Sequence, residues 1–154
     1  MKRLTPFLCL MLISCFAAFA SAAPDFSGTW IRDVGRSDLM ATLIDGKVTS
    51  ISADLVINQT ENSIQIESRW DYKDPTTENY FLGETEQRNS LVYATSWEGD
   101  KLIIQRSGTA NTPFGPAEIN MREEYSLSDS GNTLTVTTAA RGPFGSVRKQ
   151  VYHR

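Results

Sequence analysis

Cysteine and histidine are almost absent from this chain of 154 residues. Its two cysteines, Cys9 and Cys15, both fall within the first 22 residues, and His153 is the single imidazole. Residues 23–154 therefore contain no disulfide, no thiol nucleophile and no thiolate ligand for a metal. A lone histidine beside the C-terminus is a poor basis for a zinc or haem site, so we expect neither a metal nor a cofactor.

Catalytic signatures are also missing. The sequence has no glycine-rich phosphate loop and no dinucleotide-binding fingerprint. A serine or threonine nucleophile would have only the terminal His153 as its base. The neighbouring carboxylates Glu123 and Glu124 point to opposite faces if they lie on a strand, so they would not act as a pair. We therefore expect a protein that is not an enzyme.

No basic patch is present. The chain has 15 basic and 18 acidic residues, and without Lys2 and Arg3 the balance is 13 to 18, a net charge of about −5. A surface of this sign repels nucleic acid. We expect no nucleic-acid partner.

The first 22 residues have the order of a secretory signal peptide. Lys2 and Arg3 precede an apolar run over 4–20, and Ala20-Ser21-Ala22 forms a small-x-small cleavage signal. The run is shorter than the ~20 apolar residues of a membrane-spanning helix. We expect cleavage to leave 23–154 as a single exported domain, periplasmic or secreted, without an integral membrane segment.

An alternative reading of this segment is a lipobox. Leu12-Ile13-Ser14-Cys15 resembles the motif in which a bacterial cysteine is lipidated and becomes the mature N-terminus. The apolar run continues past Cys15, where such a tether is normally polar. Anchoring through Cys15 therefore stays the minor alternative.

Alternating apolar and polar residues dominate the rest of the chain. Over 64–72 one face carries Ile64, Ile66, Ser68, Trp70 and Tyr72, and the intervening residues are polar or charged. This period of two predicts a half-buried strand. Weaker or shorter versions of the pattern predict further strands at 26–32, 54–59, 77–82, 91–97, 101–106, 119–127, 133–138 and 147–152.

Short turns between these segments predict an antiparallel sheet, because parallel neighbours need long crossovers. One helix is predicted over 37–44, with Ser37 or Asp38 as its cap, an apolar face at Leu39, Met40 and Leu43, and Asp45-Gly46 at its end. About eight to ten strands in meander order favour an all-β, up-and-down barrel that closes on itself.

A family resemblance supports the barrel. Phe26-Ser27-Gly28-Thr29-Trp30 resembles the Gly-x-Trp opening of the calycin superfamily, which includes lipocalins and fatty-acid-binding proteins. The resemblance implies a lipocalin-like barrel in which Trp30 plugs the closed end and Gly28 permits close packing there. The chain is also similar to small exported bacterial proteins that open with Phe-Ser-Gly-Thr-Trp.

The last strand both fits and departs from this family. Tyr152 lies in a segment similar to the closing Arg-x-Tyr strand of the fatty-acid-binding branch, but Gln150 stands where that branch has arginine. Arg148 lies one step further along the same face. The segment between Trp30 and Ala53 is also short for a two-helix lid. Fatty-acid binding is therefore not implied.

Inward-facing aromatic and basic residues are the candidates for a ligand site. A buried guanidinium needs a partner, which an anionic ligand would supply for Arg106 or Arg148. Pairing with Glu123 or a solvent-facing position would also satisfy an arginine, and the aromatic residues would also suit an ordinary core. The candidate ligand-binding residues are Trp70, Tyr93, Trp97, Arg106, Arg148 and Tyr152.

Two functions remain open. The first is non-catalytic binding of a small apolar or amphipathic ligand inside a lipocalin-like barrel. The second is a solid barrel that serves as a structural or interaction module of the cell envelope. In that case the rim loops 109–116 and 141–146, with Phe114 and Phe144 at their Pro-Phe-Gly corners, would contact a protein partner.

Overall fold

The structure is a computed structural model that describes residues 23–39, 41–44, 47–50, 53–112, 115–141 and 145–154. The expected signal peptide or lipobox within 1–22 lies outside these residues. So do the two corner phenylalanines, Phe114 and Phe144.

Twelve strands make up the described fold, and every pairing is antiparallel. They are β1 (Gly28–Arg32), β2 (Ala41–Ile44), β3 (Lys47–Ser50), β4 (Ala53–Gln59), β5 (Ser63–Trp70), β6 (Thr76–Phe81), β7 (Thr85–Arg88), β8 (Leu91–Glu98), β9 (Lys101–Thr112), β10 (Gly115–Leu127), β11 (Thr133–Ala140) and β12 (Ser146–His153).

Ten of these strands form one sheet that curls into a nearly closed barrel. The order is β6-β5-β4-β1-β12-β11-β10-β9-β8-β7. It is a meander in which β1 and β12, the first and last strands of the chain, are neighbours. Ile31 pairs with His153 and Arg32 with Tyr152, which joins the two halves of the sheet. The prediction of an all-β antiparallel barrel is confirmed for the described residues.

The barrel remains open between β6 and β7, the two end strands of the sheet. Local hydrogen bonds bridge this opening in place of a ladder. The guanidinium of Arg88 on β7 donates to the main-chain carbonyl of Asn79 on β6, and it lies over the rings of Tyr80 and Tyr93. The long side chain of Arg88 therefore links the two edges.

The predicted helix over 37–44 is wrong. Residues 41–44 form β2, which pairs with β3 in a separate hairpin, and the described residues contain no helix; Met40 lies outside them. The expected caps bind β12 instead, since Val151 N donates to Ser37 Oγ (2.9 Å) and Lys149 N donates to Asp38 Oδ2 (2.6 Å). These polar side chains therefore extend the pairing of β12 beyond the end of β1.

The core at one end of the barrel, which we call the closed end, is packed around Trp30, which is fully buried. Its Nε1 donates to the main-chain oxygen of Phe26 (2.9 Å), and the guanidinium of Arg154 lies 4.6 Å from its ring centre. Gly28 has a φ of 141°, and a Cβ there would lie 3.6 Å from Arg154 Nε. This arrangement is compatible with the roles that the calycin resemblance implies for Gly28 and Trp30.

Candidate functional site

A cavity of about 230 Å³ lies inside the barrel, beyond the core around Trp30. Leu55, which pairs with Trp30 between β4 and β1, lines the part of the cavity next to this core. Ala53 lies two residues away on the same face of β4, and it and its partner Trp70 on β5 also line the cavity. The wall combines apolar and polar side chains. Its apolar part includes Ala53, Leu55, Ile66, Met121 and Val136, and its charged part includes Arg32, Glu78, Arg106, Glu123 and Arg148.

Four of the six candidate ligand-binding residues line this cavity: Trp70, Arg106, Arg148 and Tyr152. Tyr93 and Trp97 do not. Tyr93 packs against Tyr80, with ring centres 6.2 Å apart. Trp97 lies at the closed end, where its ring stacks on Phe26 at 5.9 Å.

Arg106 is the centre of a partly buried polar network. Its Nη2 lies 3.1 Å from Glu78 Oε2, 2.7 Å from the Tyr80 hydroxyl and 3.1 Å from Glu123 Oε2. The Tyr80 hydroxyl in turn donates to Glu78 Oε2 (2.9 Å). The network joins β9 and β10 to β6 through the barrel interior. The pairing of Arg106 with Glu123 is one of the alternatives that the sequence left open.

One atom of this network has no partner. The Nε of Arg106 is buried and makes no hydrogen bond with any residue that the structure describes. A buried donor left unsatisfied costs about 1–3 kcal/mol, because its hydration is lost without replacement. Arg106 therefore retains one buried donor that no described residue satisfies.

Burial raises the pKa of the acidic groups in and beside the network. Loss of hydration raises the pKa of Glu123 above its ordinary value of 4.5, with Glu78 adding to the shift and Arg106 opposing it. Burial likewise raises the pKa of the Tyr80 and Tyr125 hydroxyls. Both phenols therefore stay protonated at neutral pH and act as hydrogen-bond donors rather than as nucleophiles.

Arg148 differs from Arg106 in its surroundings. It is exposed, it lines the cavity, and it forms no ion pair with the part of the chain that the structure describes. Its register partner is Thr138, whose partner on the next strand is Glu123. Two strand spacings, about 10 Å, thus separate the backbones of Arg148 and Glu123.

Two further polar residues of the cavity, Arg32 and Tyr152, are bonded within the protein. Arg32 is buried, and its Nη2 donates to the main-chain oxygen of Asp38 (2.8 Å). The hydroxyl of Tyr152 donates to Gln150 Oε1 (3.1 Å), and burial raises the pKa of this phenol. The three arginines and two carboxylates give the wall one excess positive charge when all are ionised.

No metal-binding group of three or more histidine, cysteine, aspartate or glutamate side chains occurs among the described residues. His153 contacts a carboxylate instead, because its Nε2 lies 2.9 Å from Asp33 Oδ2. Within the same residues, no helix has the length and apolar character needed to cross a membrane.

The sequence interpretation missed Glu78, Tyr80 and Arg32 as parts of the interior. Glu78 is one of the acidic residues that the sequence analysis did not place inside the barrel. The period of two over 77–82 places it on the face of Tyr80, so the signal was present in the alternation. The position of Arg32 follows from the same rule, since it lies two residues after Trp30.

Comparison with known proteins adds no assignment. The chain matches no family model, and a search of curated proteins found no match.

Proposed function

We propose that the protein binds a small amphipathic organic molecule inside the barrel and has no catalytic role. The observation that carries this proposal is the cavity of about 230 Å³ with a mixed apolar and charged wall. The nearly closed antiparallel barrel is compatible with the calycin resemblance, whose members include carriers of small ligands. The signal-like pattern of residues 1–22 favours a role outside the cytoplasm, in the periplasm or in the secreted fraction.

The cavity volume limits the size of the molecule. Drug-sized pockets occupy roughly 300–1,000 Å³, whereas an apolar cavity of about 150 Å³ accommodates benzene. A volume of about 230 Å³ lies between these values. It suits a single substituted ring or a short branched chain, and it is small for a long acyl chain.

The chemistry of the wall also supports an amphipathic ligand. Leu55, Ile66 and Val136 offer apolar contact, and burying apolar surface contributes about 25 cal/mol per Å². Arg106 and Arg148 supply donors on the same wall. A ligand with an apolar body and a few polar atoms satisfies both groups of residues.

A thermal-shift and native mass-spectrometry screen with small aromatic and short-chain amphiphiles tests the proposal. We expect hits with wild type and loss of those hits in Val136→Phe, which fills the cavity. Val92→Phe, on the outer face of β8, is the matched control and should keep them. Near-UV circular dichroism verifies that both variants fold. Hits that persist in Val136→Phe, or their absence from wild type, would favour the rim-loop interaction module.

A further inference from the structure

One stretch of β12 is exposed on both of its faces. Val147, Arg148 and Lys149 are all exposed, although neighbouring residues of a strand point to opposite faces. Arg148 lines the cavity, so its side chain is on the inner face, and Val147 and Lys149 are on the outer face. Because Arg148 is both exposed and part of the cavity wall, the cavity meets solvent beside this stretch.

Two large apolar side chains are exposed at the same place. Leu39 is 74% exposed and Val147 is 71% exposed, the highest fractions among the large apolar side chains that the structure describes. Leu39 follows Asp38, which is bonded twice to Lys149. Asp38 N donates to the main-chain oxygen of Lys149 (2.8 Å), and Lys149 N donates to Asp38 Oδ2 (2.6 Å). Exposed apolar side chains that lie together indicate an interaction surface.

The charge at this place is opposite in sign to that of the chain. Arg141, which follows the last residue of β11, is exposed like Arg148 and Lys149. Within the part of the chain that the structure describes, none of these three side chains forms an ion pair. Three cations thus stand against the single carboxylate of Asp38, in a chain of 15 basic and 18 acidic residues. We call this surface the basic rim, and it consists of Leu39, Arg141, Val147, Arg148 and Lys149.

Aliphatic side chains beside unpaired cations suit the surface of a bilayer that contains anionic lipid. Each lysine or arginine near such a surface strengthens binding about fivefold. Leu39 and Val147 gain by leaving water for the boundary between headgroups and acyl chains. Long basic side chains can remain among the headgroups while their apolar neighbours go deeper. A bilayer also dissolves small amphipathic molecules, and the basic rim lies where the cavity meets solvent.

We infer that the basic rim docks the barrel on the surface of a bilayer that contains anionic lipid. Docking needs no ligand in the cavity, so the inference goes beyond the proposed function and does not depend on it. The net negative charge of the chain repels the same surface, and the local positive charge of the basic rim attracts it. The protein therefore approaches the bilayer with the basic rim first.

Co-sedimentation with vesicles tests this inference. The vesicles consist of phosphatidylcholine alone or of phosphatidylcholine mixed with phosphatidylglycerol, at low and at physiological salt. The rim variants are Lys149→Gln and Val147→Thr. Lys101→Gln removes the same charge beside the β8–β9 turn, and Val92→Thr makes the same change on the outer face of β8. All of the proteins have the same N-terminus, so any effect of residues 1–22 is common to them.

We expect wild type to bind the mixed vesicles at least about tenfold more tightly than phosphatidylcholine alone, and less tightly as salt is added. Lys149→Gln should weaken binding to the mixed vesicles about fivefold. Val147→Thr should weaken it about threefold, because a methyl group is exchanged for a hydroxyl. Lys101→Gln and Val92→Thr should bind as wild type does. Near-UV circular dichroism verifies that all four variants fold.

Three results would overturn the inference. The first is equal binding of wild type to the two kinds of vesicle. The second is an equal loss in Lys149→Gln and Lys101→Gln, which would show that net charge alone governs binding. The third is binding to polyglutamate, weakened in Lys149→Gln, without binding to either vesicle, which would identify an acidic polypeptide as the partner. None of them changes the outcome of the ligand screen, so the proposed function stands or fails separately.

Discussion

Arg106 on β9 and Tyr80 on β6 are joined through the barrel interior by a hydrogen bond of 2.7 Å. β6 is one end strand of the sheet, and β9 lies in the opposite half, so the bond connects parts that no ladder pairs. Glu123 and Glu78 complete the arrangement around the same guanidinium. This network joins β6 to β9 and β10 across the barrel interior and contributes charged groups to the cavity wall.

Removing the centre of the network should be strongly destabilising. Arg106→Met leaves the buried Glu123 without its cation, and breaking a buried pair in this way costs about 3–5 kcal/mol. The double variant Arg106→Met/Glu123→Met should lose less, because no uncompensated charge remains. Urea unfolding measures both.

The surface pair of Arg122 and Glu98 is the control for this prediction. Its side chains are 33% and 55% exposed, so Arg122→Met should cost less than about 1 kcal/mol. If Arg106→Met costs no more than Arg122→Met, the interior network does not stabilise the barrel.

Backbone crowding at Gly108 gives a second prediction. Its φ is 138°, and a Cβ at this position would lie 2.1 Å from the main-chain oxygen of Ser90. Because that oxygen belongs to the backbone, Gly108→Ala should cost more than about 2 kcal/mol. Gly99→Ala, at φ 64° with no atom within 4 Å of its Cβ, should cost only about 1 kcal/mol. Equal midpoints of unfolding for the two variants would show that β8 and β9 are not packed as described.

The titration of Glu123 gives a third prediction. Its pKa is raised above 4.5 in the folded protein, mainly by burial, so the folded state binds this proton more tightly than the unfolded state. The free energy of unfolding should therefore fall as the pH rises from about 4.5 through the raised pKa. In Glu123→Gln this contribution is missing, and the wild-type advantage over the variant should shrink across the same pH range.

Carboxyls with lowered pKa values change stability in the opposite direction. Asp33, which accepts a hydrogen bond from His153, and Glu98, which pairs with Arg122, lose their contribution as the pH falls. Both remain in Glu123→Gln, so they cancel in the comparison. A difference between wild type and variant that stays constant or grows with pH would contradict the burial of Glu123.

Of the two candidate tryptophans, Trp70 should contribute to ligand binding and Trp97 to the stability of the fold. Trp70→Ala should weaken binding of an aromatic probe about tenfold, since one stacked or edge-to-face ring contributes about 0.5–1.5 kcal/mol beyond its area. Trp97→Ala should leave the Kd of the probe unchanged and lower the free energy of unfolding by about 3 kcal/mol, because its ring packs on Phe26. The reverse pattern would place the ligand at the closed end.

Strand positions were predictable from the sequence where one face is core and the other is polar. The alternation over 64–72 reproduces β5 (Ser63–Trp70) closely, although Tyr72 lies beyond the strand and is 39% exposed. Buried positions such as Ile64 and Ile66 alternate with partly exposed polar ones, so the residue types themselves show the period of two.

Strands without such a face were not predicted. β7 (Thr85–Arg88) contains no apolar residue, and its Glu86 and Arg88 pair with each other at the opening of the barrel. For β2 and β3 the spacing of Leu39, Met40 and Leu43 fitted a helix. The Asp-Gly dipeptide between these strands is equally typical of a two-residue hairpin loop, and it was read as a helix end.

The site was predictable only in part, because alternation gives the face of a residue but not its depth. Arg106 and Arg148 were both placed inward, and both line the cavity. Which arginine is neutralised depends on Glu78, which reaches Arg106 from a strand far away in sequence. That contact follows from the curvature of the sheet, which local sequence does not encode.

The most direct test of the account is the location of a bound probe within the barrel. Intermolecular nuclear Overhauser effects between the ring protons of a small aromatic amphiphile that binds in the screen and protein methyl groups provide it. The account predicts effects to Met121, Ile66 and Val136, which line the cavity, and none to Val92 on the outer face. Effects confined to Val92 and other outer-face methyl groups would contradict it.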